Sequence, residues 1–550
     1  MAKKTNIDFL LSKGIITQDQ IKRAKEEAEK TGLPLEKALD RLGFISEVDI
    51  AKAISESTGI PFMDLSDYLI DSEVITLIPE ETARKCKTIP LFKIGDSLTV
   101  AMADPQDVAA IDEVRKKSKA GAIEPVLSTH DMISKAIDEY YGALGDTKKL
   151  MEGLTKEKVQ GLAQAAEQAP VIKLVNLIII QAVKDRASDI HVEPQEDKLL
   201  VRYRIDGVLH EAQEIPKHLQ SALLSRFKVM AKMDIAENRL PQDGRIRLKM
   251  ESKDLDLRVS SFPTVYGENL VLRLLDKSSV LLGLAELGFS IGDLKNFDKV
   301  IRSPNGIILV TGPTGSGKTT TLYGALSAIN SMEKNIITIE DPVEYEIPLI
   351  RQTQVNVKAG LTFANGLRSI LRQDPYIVMV GEIRDKETAE IAIQSSLTGH
   401  LVFSTLHTND AAGALTRLLD MGIEPYLISS SVIAILAQRL VRVLCPKCKE
   451  RYMPSDEVLK QLKLIEKKEL YRTRGCVKCK NSGFTGRIGI YELLLINNEI
   501  KDLVTAKMSA KDIMKKAVAS GMRVLFEDGI EKVKNGLTTV EEVLRVTEEI

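Results

Sequence analysis

The run Gly312, Pro313, Thr314, Gly315, Ser316, Gly317, Lys318 and Thr319 fits G-x-x-x-x-G-K-[ST], the pattern of a loop that wraps nucleotide phosphates. The chemistry needs these residue types in this order. Glycines let backbone N–H groups turn toward an anion with no Cβ in the way. Lys318 is long enough to reach the β- and γ-phosphates, and the Thr319 hydroxyl is placed to ligate Mg²⁺. Thr320 opens what reads as a helix, whose positive end adds to the attraction. A chance glycine-rich turn would not match the whole pattern in frame after the apolar run 306–311. The motif implies that ATP binds here with Mg²⁺.

Acids follow at two strand-like ends. Ile336-Ile-Thr-Ile-Glu340 is an apolar run closed by a carboxylate, and a carboxylate is needed to orient the water that attacks a phosphoryl group. Glu340 is the first candidate for that role, against a plain turn acid before Pro342. Tyr376-Ile-Val-Met-Val-Gly-Glu382 is a second such run. An Asp usually ends this strand and holds Mg²⁺ through water, and here Glu382 takes the place. A third run, 401–405, is flanked by His400 and His407, two of only six histidines. An imidazole beside a γ-phosphate can sense it or stabilise developing charge. His407 is the one expected to face the phosphate.

Four of the five cysteines form two C-x-x-C pairs, Cys445 with Cys448 and Cys476 with Cys479, and 27 residues lie between the pairs. Four thiolates so spaced suit a closed, structural, tetrahedral Zn²⁺. The span between them is charged and reads as an arm pinned at its base. Cys86 stands apart and reads as a structural thiol.

These groups need a frame. From residue 285 on, strand-like runs at 306–311, 335–340, 376–381 and 401–405 alternate with helical ones, which predicts a parallel sheet with helices on both faces. Residues from about 490 to 550 read as helical throughout. Upstream, residues 170–276 read as an α+β domain: a helix at 172–186, a hairpin turning at Asp206-Gly207, a helix at about 218–233 and three further strands. That domain carries Arg239, Arg245, Arg258 and Arg273, a cluster that could act in trans on a phosphoryl transition state. Residues 144–169 are polar and read as a linker. Residues 70–143 read as a small α/β unit. Before it lies a 29-residue internal repeat of short helices, aligning Lys13-Gly-Ile-Ile-Thr17 with Leu42-Gly-Phe-Ile-Ser46.

The formal net charge is −1, from 76 basic and 77 acidic residues, a balance that gives no sign of a general nucleic-acid binder. No basic, aromatic-rich strand-binding stretch appears, which argues against a nucleic-acid translocase. No apolar stretch approaches the roughly 20 residues that cross a bilayer. A cytoplasmic protein is expected, with any membrane association made through a partner.

The four boxes, 312–319, 339–345, 380–385 and 404–410, together with Asn238-Arg-Leu-Pro-Gln-Asp-Gly-Arg-Ile246, resemble the secretion ATPase superfamily of type II secretion and type IV pili. Within it the chain is most similar to the pilus extension branch, and the type II secretion branch is the alternative. The resemblance implies an α/β fold class: a RecA-like P-loop ATPase core over 285–550 with a zinc-binding insertion at 445–479. A PAS-like α+β domain over 170–280 precedes the core, and an N-terminal helical/α+β (MshEN-like) domain covers 1–143. It implies ATP hydrolysis in a homohexamer with nucleotide sites between subunits. Arg258 and Arg273 would reach the phosphates from the middle domain, Glu340 would activate water, Glu382 would sit at Mg²⁺ and His407 near the γ-phosphate. Implied partners are an inner-membrane platform protein and a cytoplasmic adaptor. In some relatives the N-terminal domain binds cyclic di-GMP, with repeats opening on Arg-Leu-Gly. Here Asn6-Ile7-Asp8 and Pro34-Leu35-Glu36 stand at those openings, so adaptor docking is favoured over cyclic di-GMP.

Overall fold

The computed structural model describes residues 11, 16–31, 35–141, 169–251, 253–276, 282–462 and 469–547. The expected linker at 144–169 lies almost wholly outside them, as do Asn6, Ile7, Asp8 and Pro34. The chain divides into two compact units, residues 1–278 and 279–550.

In the first unit three short helices, Gln18–Thr31, Leu35–Arg41 and Glu47–Thr58, bury Ile21, Ala24, Leu39 and Ile50 against one another. Thr17 caps the first of them: its Oγ1 accepts from the Gln20 amide at 3.3 Å, and Gln20 Oε1 accepts from the Thr17 amide at 2.8 Å. Strand β1 (Tyr68–Leu69) follows. Then β2 (Thr88–Ile94), β3 (Ser97–Met102) and β4 (Ala122–Leu127) form a small sheet, packed by helices Glu80–Cys86, Val108–Ser118 and His130–Tyr141.

Helix Ala169–Lys184 leads into β5 (Asp189–Pro194), β6 (Lys198–Ile205), β7 (Val208–Pro216), β8 (Gln242–Met250), β9 (Lys253–Thr264) and β10 (Gly267–Asp276), with helix Gln220–Met230 between β7 and β8. The strand order is β1-β8-β9-β10-β5-β6-β7. All pairings are antiparallel except β1, which lies parallel on β8. The β6–β7 hairpin turns through Asp206 and Gly207, both at positive φ (49° and 88°), as a two-residue turn of this hand requires.

Register gives this sheet a charged row that spacing alone does not show. Arg245 pairs opposite Arg258, Arg258 opposite Arg273, and Arg273 opposite Asp189. Directly opposed residues share a face, so three guanidiniums stand side by side across β8, β9 and β10. Two buried carboxylates steady the row: Arg273 Nε donates to Asp189 at 3.0 Å, and Arg245 pairs with Asp256. Arg239 is not part of it. It sits on the loop before β8, bonded to Glu237.

The second unit is built on β11 (Gly306–Thr311), β12 (Ile336–Glu340), β13 (Arg351–Gln354), β14 (Ile377–Val380), β15 (Leu401–Leu406), β16 (Val432–Leu444) and β19 (Phe484–Leu495). Strands β17 (Glu450–Tyr452) and β18 (Leu470–Arg472) pair separately within the cysteine arm. The order is β13-β12-β14-β15-β11-β16-β19. Side chains alternate between two cores. Ile307, Leu309, Val378 and Val380 enter one, with helices 363–370, 386–397 and 411–420; Ile308, Val310, Ile377 and Met379 enter the other, with helices 291–301 and 318–329. Burial on both faces is why these strands read as unbroken apolar runs.

Two expectations need correction. Residues from about 490 are not helical throughout, because β19 runs to Leu495 and helices begin at Asn498. The sheet is also not wholly parallel, since β19 lies antiparallel on β16. Residues 434–438 of β16 and 489–494 of β19 are buried on both faces, and a short two-sided apolar run cannot be told from a buried helix by periodicity.

Candidate functional site

The chemical groups expected from sequence collect at one edge of the second sheet. Residues 312–317 leave the carboxyl end of β11. Glu340 is the last residue of β12. Glu382 lies two residues beyond β14, and His407 one beyond β15. In parallel α/β sheets this edge is where ligands sit.

Two features open the phosphate loop to an anion. Gly312 and Gly317 hold positive φ (148° and 86°), where a Cβ would press within 2.5 Å of the Gln438 carbonyl and 2.8 Å of its side-chain nitrogen. Helix Lys318–Ile329 begins without any side-chain cap, so its first amides are left for a ligand. Ser316 Oγ is buried and has no hydrogen-bond partner among the described residues. Lys318 Nζ donates to the carbonyls of Gly312 at 2.8 Å and Pro313 at 3.1 Å. Burial lowers its pKa, though Glu382 pulls the other way. A cation held off solvent on neutral oxygens is matched to a phosphate chain. Thr319 and Thr320 follow in the first helical turn, half-buried.

The two carboxylates differ in environment. Glu340 is 3 % exposed, and its oxygens accept from Tyr323 Oη, Thr338 Oγ1 at 2.5 Å and Gln352 Nε2 at 3.2 Å. Burial raises its pKa despite those bonds. For Glu382, burial pushes up, but Arg384 at 2.5 Å and His407 outweigh it and hold the carboxyl below its ordinary value. Carboxylates pushed apart in this way divide labour: one accepts a proton, the other stays charged. His407 Nε2 lies 3.3 Å from Glu382 Oε2. His400, by contrast, places its Nδ1 2.9 Å from the Ser395 carbonyl, at the end of helix Lys386–Leu397, and serves the fold.

Several groups in this site are not picked out by the sequence. Tyr323, one turn into the helix after the phosphate loop, reaches Glu340. Thr311 Oγ1 and Thr408 Oγ1 lie 2.7 Å apart, and the Thr408 amide donates to Thr311 at 2.9 Å, tying the His407 segment to β11. Gln438 and Arg439 come from β16, where a polar pair inside the apolar run 432–444 is the signal that could find them.

The four cysteine sulfurs lie within 4.8 Å of one another, with Sγ–Sγ separations of 3.9, 3.7 and 3.6 Å for three pairs. A tetrahedral metal at about 2.3 Å from each sulfur needs about 3.8 Å between them, so the donor set fits Zn²⁺. Disulfides are excluded by the same distances.

The arginine row belongs to the first unit. Arg273 has 60 % of its side chain exposed, and Arg258 is half-buried.

The family model "Type II/IV secretion system protein" matches residues 164–545, and the "MshEN domain" model matches residues 58–147. The second match begins beyond the internal repeat. The type IV pilus assembly ATPase PilB of Myxococcus xanthus is 45% identical over 98% of this chain and 98% of its own. Type II secretion system protein E of Xanthomonas campestris pv. campestris is 46% identical over 99% of this chain and 98% of its own. The Legionella pneumophila ATPase DotB shares the fold, with a TM-score of 0.51 at 20% identity over 67% of this chain and 94% of that one.

Proposed function

The chain belongs to the type II/IV secretion system protein family, and from that premise we propose that it powers the assembly of a type IV pilus. It is a secretion-system ATPase and hydrolyses ATP.

Lys318 and the backbone amides of Gly312 and residues 314–320 bind the phosphate chain. Glu340 takes a proton from the attacking water as its oxygen bonds the γ-phosphorus, and the bond to the β–γ bridging oxygen breaks to leave ADP. Its raised proton affinity suits it to that step. Mg²⁺ held by Thr319 and, through water, by Glu382 would supply positive charge to the phosphate oxygens. His407, bonded to Glu382, stands where the γ-phosphate is lost. Arg258 and Arg273 reach the nucleotide of a neighbouring subunit in a homohexamer. The support for this is their alignment in one crowded row, which an anion would relieve. Zn²⁺ on Cys445, Cys448, Cys476 and Cys479 would pin the arm between the pairs. The protein works in the cytoplasm, held at the inner membrane by a platform protein and an adaptor that docks on the N-terminal domain. Cyclic di-GMP is the less favoured ligand there. Among the described residues no helix is long and apolar enough to cross a membrane.

The observation that carries the motor reading is the convergence of the phosphate loop, Glu340 and the Glu382–His407 pair on one sheet edge. The test is expression in a bacterium that lacks its own pilus assembly ATPase. Restored surface pili, with ATP turnover stimulated by the platform protein's cytoplasmic domain, are expected. The likeness to type II secretion protein E favours a second reading, and it would be assigned if the chain restored protein export but no pili.

A further inference from the structure

A second cation stands beside the phosphate loop. Arg439 projects from β16, whose Ala437 lies in register with Thr311, the last residue of β11. A Cβ on Gly312 would meet Arg439 Nη1 at 3.2 Å and Ser316 Oγ at 2.7 Å, so guanidinium, loop and orphaned hydroxyl are immediate neighbours.

The guanidinium is held by neutral oxygens. Nη1 donates to the Gln438 carbonyl at 3.1 Å, and Nη2 donates to the Asn409 carbonyl at 2.8 Å and to Asn409 Oδ1 at 3.4 Å. Glu492 and Asp410 are the carboxylates that act on it, and neither forms an ion pair with it among the described residues. Burial depresses its proton affinity, and it depresses that of Lys318 in turn. Two half-buried cations thus lie close enough to repel, each parked on carbonyls. Desolvated like charges held on carbonyls rather than in direct ion pairs are costly, and an anion between them removes the cost.

We propose that Arg439 is a phosphate-binding residue acting in cis: its guanidinium and the Lys318 ammonium grip the phosphate chain of one nucleotide from two sides. The inference rests on the ATPase reading above and adds a residue to it. Arg439 also holds Asn409, two residues from His407, so the same side chain joins the phosphates to the segment that carries the imidazole. Arg suits the position because its planar fork can serve a phosphate and a carbonyl together.

The test uses the full chain with Arg439→Gln and Arg439→Lys, titrated with ADP and with ATPγS, alongside thermal unfolding without ligand. Removing a charge-assisted contact should weaken nucleotide binding about 10- to 100-fold in R439Q. R439K should fall in between. The ligand-free melting temperature should hold or rise, because a repulsion is lost, while stabilisation by nucleotide shrinks. Affinities within twofold of wild type in both variants would overturn the assignment. So would a ligand-free form that melts early while keeping the full nucleotide-induced stabilisation, since that is the mark of a purely structural arginine. If R439Q does not fold, R439K decides alone, and wild-type affinity there counts against the proposal. Should the wild type itself bind neither nucleotide, the ATPase reading fails instead.

Discussion

His407 Nε2 and Glu382 Oε2 lie 3.3 Å apart, although 25 residues of chain separate them. Neighbouring parallel strands β14 and β15 end side by side and present the two groups at the same edge. The contact holds Glu382 charged and orients the ring. His407→Ala should therefore lower kcat about 10- to 100-fold with little change in ATP affinity. Steady-state turnover together with nucleotide titration checks the split. An equal loss of affinity would show that the imidazole serves binding.

Glu340→Gln should bind ATP normally and lose about 10²- to 10⁴-fold in turnover, because proton acceptance goes while packing stays. The wild-type kcat should show an acid limb above the usual carboxylate range, as burial raises this group. Tyr323→Phe removes one donor to the carboxylate and should move that limb further up. A pH–rate series on both proteins measures the shift, and an unmoved limb would assign it to another group.

Arg258 and Arg273 act in trans under the proposed assembly. Rings made wholly of Lys318→Ala subunits, or wholly of Arg273→Ala subunits, should be inactive. Mixing the two should restore roughly a quarter of the sites, those where an intact phosphate loop meets an intact neighbouring arginine. Turnover of the mixture against each parent reads this directly, and no recovery would argue that the arginines serve their own subunit.

Cys476→Ser should abolish stoichiometric zinc and loosen the β17–β18 arm, since a three-thiolate site holds the metal less well. Metal analysis and limited proteolysis within 449–475 follow the two effects. An arm that is equally resistant without zinc would mean that its fold is independent of the metal.

Glu542 supplies a pH signature of stability. Burial pushes its carboxyl up, but bonds from Arg442 and Arg545 more than offset this and take the pKa to about 2 from 4.5. A carboxyl depressed on folding stabilises the protein above its unfolded pKa and stops doing so as pH falls toward the folded one. The window is about pH 4.5 down to 2. The contribution at neutral pH is roughly 3 kcal/mol. Glu542→Gln should lower the melting temperature at pH 7 and flatten its fall over that acid window.

The strands that carry the candidate site are legible in the sequence because their signals are local. A motif fixes the phosphate loop, and strands buried on both faces announce themselves as apolar runs with acids at their ends. Register is not local. Nothing in the spacing of Arg245, Arg258 and Arg273 says that they stand in one row, because that depends on how β8, β9 and β10 slide against each other. The Tyr323–Glu340 bond joins a helix to a strand through the fold, and Arg439 was hidden because its strand could as well have been a helix.

Strand β1 belongs by sequence to the amino-terminal region, yet it lies on β8 of the arginine-bearing sheet, pairing Tyr68 with Lys249 and Leu69 with Met250. Tyr68 Oη also donates to the Glu251 carbonyl, and Lys184 meets the buried Asp71 at 2.6 Å. A shortened protein starting near residue 170 would therefore expose backbone donors and acceptors at the end of β8. Exposed edges recruit other edges. Self-association of such a fragment would report an uncovered seam, and its aggregates would be a poor guide to how many copies the intact chain assembles.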